Sequence, residues 1–392
     1  SLLPRCSVLA ERQHLIENRS AFHFWLRLRR AVPSVLILYP QTKANIHRRA
    51  HRGHRELHEK PKQETTRCIL ARARGEEFVR IDIHAHYFPV EYLDRLDRYG
   101  GGQTTAFFRK ANLSFEGFSG FDAHFRNMEL AKVDLQVLSV SGQLPYFANE
   151  NDAADAARLG NDIYARIVRE YPKRFAAFAC TPLPHVQASI DEMRRALDEL
   201  GMVGVTAGTT VLGKSVADPA FDDFFAELNR RKAVLFIHPI GGSAGSPLIE
   251  STKLTWPIGA PLEDTICLLQ FMQANIPSRF PDIKIILPHL GGFAPFLIAR
   301  LDQLKGHFLP ESAPPPSVQA KYFWYDTVNA NPPSLRCAQE AVGTDRLLFG
   351  TDYPFWRDDA FKLCADYIAE AGLPKGDVDR ILDRNAKNML GL

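Results

Sequence analysis

The chain is poor in the features that mark several protein classes. Its 392 residues hold six cysteines, Cys6, Cys68, Cys180, Cys267, Cys337 and Cys364, and no CxxC pair. That argues against a disulfide scaffold or a cysteine-based zinc knuckle, and for a reducing, cytoplasmic compartment. No apolar run approaches the roughly 20 residues of a membrane-spanning helix, so no membrane partner is expected. No GxGxxG follows the first strand pattern, which weighs against a dinucleotide-binding fold. Aspartate is missing from residues 1–80, which carry 17 Lys+Arg against 7 Glu, about +10. The overall net charge is +3, so the remainder is mildly acidic, about −7. A domain of that sign is not expected to bind nucleic acid.

The basic balance belongs to a leader, residues 1–76, with clusters such as Arg27-Leu28-Arg29-Arg30 and His47-Arg48-Arg49-Ala50-His51-Arg52. Its apolar stretch Val32–Tyr39 is short, interrupted by Pro33, and late for a secretory signal. A transit peptide, a basic tail for nucleic acid or anionic membrane, and a disordered extension compete as readings. The lack of a sustained amphipathic period favours disorder.

Residues 77–392 have a different rhythm. Apolar, β-rich runs predict strands at Phe78–His84, Val133–Val140, Arg174–Cys180, Val203–Ala207, Val234–His238, Ile283–Leu287, Tyr322–Thr327 and Arg346–Gly350. Helical patterns lie between them: Ala153–Glu170, Val186–Leu200, Ala220–Arg231, Pro261–Asn275 and Phe293–Lys305. Two more, Ala360–Ala371 and Gly376–Met389, follow the last strand. Eight β/α units predict an α/β fold, a (β/α)₈ TIM-like barrel. The segment Tyr87–Asp122, with Gly100-Gly101-Gly102 and several aromatics, is too long for a plain loop. It reads as an insertion after strand 1, at the mouth of the barrel, and a candidate substrate lid.

In such a barrel catalytic groups stand at the C-terminal strand ends. The first strand ends in His84-Ala85-His86, two imidazoles at i and i+2 that share one face of a regular strand. Asp82 is expected on that same face, deeper in the barrel, and is assigned no role. The fifth strand ends in His238-Pro239, the sixth in His289-Leu290-Gly291-Gly292, the eighth in Asp352-Tyr353-Pro354. Singly, His238 reads equally as a core histidine, His289 as a helix cap and Asp352 as a turn residue. Their convergence on one rim is harder to explain by structure alone.

Three neutral imidazoles and a carboxylate suit one divalent ion, Zn²⁺ or Mn²⁺. The expected ligands are His84, His86, His238 and Asp352. His289 then serves as a general acid or base beside them. Arg300 could grip a substrate carboxylate, or merely form a surface ion pair. Trp256 could stack on a planar substrate, or merely pack on the rim.

These motifs resemble the amidohydrolase superfamily, and within it the aminocarboxymuconate-semialdehyde decarboxylase branch. The resemblance runs from Val79 to the C-terminus and rests on Ile81–His86, Phe236–Pro239, Pro288–Arg300 and Leu348–Phe355. It implies that His84, His86, His238 and Asp352 bind the metal and that His289 handles protons. It matches Arg300 to an arginine that reaches the neighbouring subunit's substrate, which implies a homodimer, and Trp256 to a pocket aromatic. Many hydrolytic relatives bridge two metals with a lysine. Here Gly204–Thr209 has none, which favours a mononuclear site. The branch's archetype carries a carboxylate-binding arginine in the insertion. Here Phe115–Asp122 has no arginine, and Arg109 and Lys110 are the nearest preceding cations.

The expected activity is metal-dependent, non-oxidative decarboxylation of a small aromatic (salicylate-type) or muconate-semialdehyde-type carboxylic acid. The proton would reach carbon from Asp352 or His289. Hydrolysis of a lactone, amide or ester by the same ligands is the alternative.

Overall fold

The computed structural model describes residues 79–116 and 120–392. The expected leader, residues 1–76, lies outside the described residues.

Eight strands form one all-parallel sheet in sequence order. They are β1 (Ile81–His86), β2 (Leu135–Ser139), β3 (Phe175–Cys180), β4 (Gly204–Gly208), β5 (Val234–His238), β6 (Lys284–Leu287), β7 (Trp324–Asp326) and β8 (Leu347–Leu348). The sheet closes on itself. Ile83 donates its backbone N–H to Phe349 at 3.0 Å, Asp352 donates to His84 at 2.7 Å, and Ala85 bridges to Tyr353. This is the expected (β/α)₈ barrel. Strands such as Val-Leu-Phe-Ile-His at β5 are buried throughout because helices cover the outer face and side chains fill the inner one.

Ile81, Ile83, Leu135, Val137, Phe178, Phe236, Ile286 and Leu348 fill the interior. The C-terminal helix Asn385–Leu390 closes its lower end with Ala386, Met389 and Leu390. Each large apolar side chain fully buried in this interior contributes roughly 1.5–3 kcal/mol. A larger apolar layer joins the outer strand faces to the helices.

The helical expectations hold with local differences. The pattern over Val186–Leu200 is an α-helix to Arg194 that continues as a π-type turn over Arg195–Glu199. The final pattern is broken into Lys375–Asp379, a π-type turn Arg380–Arg384, and Asn385–Leu390. A helix at Pro332–Val342, not among those named from the sequence, links β7 to β8 as the eight-unit pattern requires, its first turn carrying two prolines. Proline fits there, because the first-turn N–H groups have no intrahelical partner.

The insertion after β1 contains the helices Val90–Arg98 and Gly102–Lys110, and leads into Phe121–Leu130. Short strands at Phe88–Pro89 and Ser114–Phe115 pair to fasten its two ends.

Candidate metal centre

A bulge in β1 sets the geometry. Asp82 pairs with Gln136 and Ala85 with Leu138, so Ile83 and His84 together oppose only Val137. Ile81 and Ile83 face the interior, whereas Ala85 belongs to the outer layer. The extra residue turns His84 inward, and His86 follows on the same side.

This corrects the expectation for Asp82, which faces outward beside Gln136. Asp82 also has a clear structural task. Its oxygens accept from the N–H groups of His84 (3.1 Å) and Thr351 (3.0 Å), the Thr351 hydroxyl (2.6 Å) and the Gln136 amide (2.6 Å). It thereby ties the end of β1 to the residue preceding Asp352. Burial pushes its carboxyl up to about 6, against the pull of these hydrogen bonds.

His84, His86, His238 and Asp352 offer ligand atoms that all lie within 4.8 Å of one another. Nε2 of His84 is 3.0 Å from Nε2 of His86 and 3.2 Å from Oδ1 of Asp352. Nε2 of His86 is 3.1 Å from the same oxygen. The outer nitrogens are held elsewhere. Nδ1 of His84 meets Oδ2 of Asp326 at 2.6 Å, and Nδ1 of His238 meets the carbonyl of Pro239 at 2.7 Å. Carboxylate and carbonyl oxygens only accept, so both Nδ1 atoms carry a proton. Nε2 of the neutral His238 ring then presents a lone pair inward. Burial opposes a charge on His84, but the carboxylates of Asp326 and Asp352 outweigh it and push the ring up to about 9, so metal binding at its Nε2 displaces a proton. Nδ1 of His86 lies 3.2 Å from the Ser139 hydroxyl.

Nε2 of His238 is buried and has no hydrogen-bond partner among the described residues. Burial, then the neighbouring His86 and His84, hold this imidazole well below its usual range, so it stays neutral. Imidazole nitrogens and a carboxylate brought together in a buried site are stabilised by a cation shared between them. The donor set therefore fits one divalent ion with nitrogen and oxygen ligands.

His289 stands at the edge of the cluster. It and Leu290 have positive φ, +53° and +58°, as does Asp352 at +58°. Such strain costs roughly 1–3 kcal/mol per residue and is typical of functional sites. The turn continues through Gly292, where a Cβ would lie 1.9 Å from the carbonyl oxygen of Pro261. That close approach brings Asp264, on the helix Ala260–Gln273, to His289, with Oδ2 2.8 Å from Nδ1. Nε2 of His289 then faces Oδ2 of Asp352 at 3.9 Å. Burial alone would lower the His289 imidazole. The hydrogen bond and charge of Asp264, with Asp352 and Asp326 behind, outweigh it and hold the ring well above its usual value. The surrounding carboxylates thus favour a proton on this ring.

Aromatic rings wall the mouth. Phe88 stacks on His86 with centroids 5.5 Å apart, and Phe355 approaches the same ring at 5.8 Å. Phe107 and Phe108 of the inserted helix reach Trp256 at 5.8 Å and Phe355 at 6.1 Å. The insertion thus covers the rim, and Trp256 belongs to that wall. Arg300 does not join the cluster. It is exposed on the helix Ala294–Gln303.

Sequence reasoning missed Asp264, Asp326 and the contact role of Asp82. Asp326 ends a strand, so the criterion that found the histidines reaches it too. Asp264 lies on a helix, 25 residues before its partner, and no local pattern marks it.

Residues 81–392 match the family model described as Amidohydrolase. Over 296 residues the chain is 30% identical to the 2-amino-3-carboxymuconate-6-semialdehyde decarboxylase of Dictyostelium discoideum, covering 71% of this chain and 82% of that protein. Over 320 residues it is 30% identical to the 6-methylsalicylic acid decarboxylase of Penicillium expansum, covering 78% and 94%. Its fold matches a dihydroxybenzoic acid decarboxylase from a Polaromonas species, solved with bound manganese and the inhibitor 2-nitroresorcinol. That match has a TM-score of 0.67 at 21% identity and covers 81% of this chain and 98% of that one. The chain belongs to the amidohydrolase family. Within it, the chain falls in the branch similar to aminocarboxymuconate-semialdehyde decarboxylase.

Proposed function

We propose that this protein is a metal-dependent, non-oxidative decarboxylase of a small aromatic (salicylate-type) or muconate-semialdehyde-type carboxylic acid. The observation that carries the metal site is the convergence of His84, His86, His238 and Asp352 within 4.8 Å. In this reading those four hold one divalent ion. Zn²⁺ suits the three imidazoles and Mn²⁺ suits the carboxylate, and the Polaromonas relative binds manganese. When bound, the ion supplies positive charge that holds the substrate's oxygens and stabilises electron density left on carbon.

The chain's own groups do the rest. The wall of Phe88, Phe107, Phe108, Trp256 and Phe355 excludes water and presents ring faces to a planar acid. As the C–C bond breaks, its electron pair stays on the ring carbon and CO₂ leaves. A proton held by His289, or passed by it through Asp352, takes the vacated position. Arg109 supports an aromatic acid over a substrate needing a second cation. Its guanidinium is engaged by Asp94 at 2.7 Å and Asp97 at 2.9 Å, both on the neighbouring inserted helix.

Arg300 belongs to the proposal as a substrate contact made across a homodimer. It forms no ion pair among the described residues, and Phe296 one turn earlier is 81% exposed. The cytoplasmic setting is proposed too, and Cys180, Cys267, Cys337 and Cys364 are free thiols. No helix among the described residues is long and apolar enough to cross a membrane.

The test is metal analysis followed by a CO₂-release screen. Chelated protein reloaded with Zn²⁺ or Mn²⁺ is offered salicylate-type and muconate-type acids. One bound ion per chain with metal-dependent CO₂ release is expected. Metal-loaded protein that releases no CO₂ yet opens a lactone would replace this reading with hydrolysis.

A further inference from the structure

Asp326 ends β7, fully buried, and its two oxygens serve different partners. Oδ2 lies 2.6 Å from Nδ1 of His84. Oδ1 accepts from the backbone N–H of His289 at 2.8 Å and of Val328 at 3.0 Å. One carboxylate therefore touches the ring of a cluster histidine and the main chain of the acid–base histidine.

We propose that Asp326 is a positioning residue that fixes the His84 tautomer toward the metal and, through its other oxygen, sets the place of His289. This rests on the metal-centre reading above and adds to it a residue outside the ligand set.

The argument is one of proton inventory. A carboxylate oxygen accepts, so the proton between Asp326 and His84 sits on Nδ1. In the neutral ring that binds a metal Nε2 is then bare, and it is the atom 3.0 Å from His86 and 3.2 Å from Asp352. The opposite tautomer would drive an N–H into the cluster. The other two histidines lean on weaker partners, a hydroxyl for His86 and a main-chain carbonyl for His238. Only His84 has a carboxylate behind it among the described residues, and such a partner also raises the basicity of the imidazole. The backbone makes room for the pair. At Gly350 on the neighbouring segment, a Cβ would lie 3.0 Å from the His84 Cβ and 3.1 Å from the Asp326 Cβ.

Asp326→Asn separates positioning from bulk. Two backbone N–H groups need an acceptor, so the single amide oxygen stays with His289 and Val328. The NH₂ then faces Nδ1 of His84 and forces the ring proton onto Nε2. The experiment titrates chelated wild type and Asp326→Asn with Zn²⁺ and with Mn²⁺ by calorimetry. Far-UV circular dichroism and the thermal midpoint serve as fold controls. The Kd of the variant should rise about 10- to 100-fold with the fold unchanged, and excess metal should restore occupancy. Equal Kd values in a wild type that binds metal would overturn the proposal and leave the metal centre standing. A wild type that binds no metal would instead overturn the metal centre itself. Should the variant not fold, ¹⁵N-histidine NMR of zinc-loaded wild type decides, assigned against His84→Gln. A deshielded proton on Nδ1 of His84 supports the proposal, and its absence overturns it.

Discussion

Asp82 and His84 are two residues apart on β1, yet their side chains point to opposite faces of the strand. The bulge between them lets one side chain clamp the barrel while the other enters the site. Asp82 accepts from the backbone of both His84 and Thr351. The two residues it holds thus flank the seam where β1 meets the end of β8. Losing the clamp should loosen two cluster residues at once.

Asp82→Ala leaves the buried Gln136 amide, the Thr351 hydroxyl and two backbone N–H groups without this acceptor. Each unsatisfied buried donor costs about 1–3 kcal/mol, with partial relief by relaxation. A total loss of about 4 kcal/mol is expected, at the severe end for one substitution. Urea unfolding measures it, and metal content should fall in parallel. A loss under about 1 kcal/mol would show that the clamp is unimportant.

His289→Asn removes the ring proposed to move the proton while respecting the backbone. The position has φ +53°, which asparagine tolerates and alanine does not. Decarboxylation should slow by about 10²- to 10⁴-fold in kcat. Bound metal should remain one per chain, since His289 is not among the four converging groups. Metal analysis beside steady-state kinetics separates the two effects. Unchanged kcat would remove His289 from the proton path.

Trp256→Ala opens the aromatic wall without touching the cluster. Trp256 has ring neighbours at 5.8 Å (Phe107) and 6.3 Å (Phe355). Loss of one ring contact of about 0.5–1.5 kcal/mol should raise KM about 2- to 10-fold and leave kcat nearly intact. A larger fall in kcat than rise in KM would instead tie Trp256 to the chemical step.

The barrel and the four converging residues were legible because both depend on local pattern. An apolar run marks each strand, and the residue that ends it marks the rim. The facing of Asp82 was not legible, since a bulge depends on register with β2 and no residue type announces it. Asp264 escaped for another reason. It reaches His289 from a helix turn that only the close packing at Gly292 brings near. The aromatic wall was foreseen as an insertion over the mouth. Its partners, Phe88 and Phe355, lie far apart in sequence and meet only once the barrel closes.

His124 gives a test of the buried network by pH. It lies on the helix Phe121–Leu130, fully buried, its ring 4.1 Å from Tyr353 and its Nε2 bonded to Gln136. Burial pushes its imidazole down to about 3. The Gln136 hydrogen bond opposes this, and the charge of Arg174 adds to it. In the unfolded chain the ring titrates near 6.5. Between these values the unfolded state binds a proton that the folded state refuses. Stability from this group is therefore complete above about 6.5 and is lost as pH falls toward 3, by about 1.4 kcal/mol per unit. At pH 5 the loss is about 2 kcal/mol. Asp82 and Asp264, both pushed up to about 6 by burial, act in the opposite sense. They bind protons more tightly when folded, so their contribution grows as pH falls from about 6 toward 4. The wild-type profile alone is thus a mixture. His124→Gln keeps an N–H donor for Gln136 and removes the titration, so the difference between the two proteins isolates the histidine. Urea midpoints from pH 8 to pH 4 should show wild type losing stability relative to the variant below pH 6.5. Parallel profiles would mean that His124 is protonated in the fold or exposed to solvent.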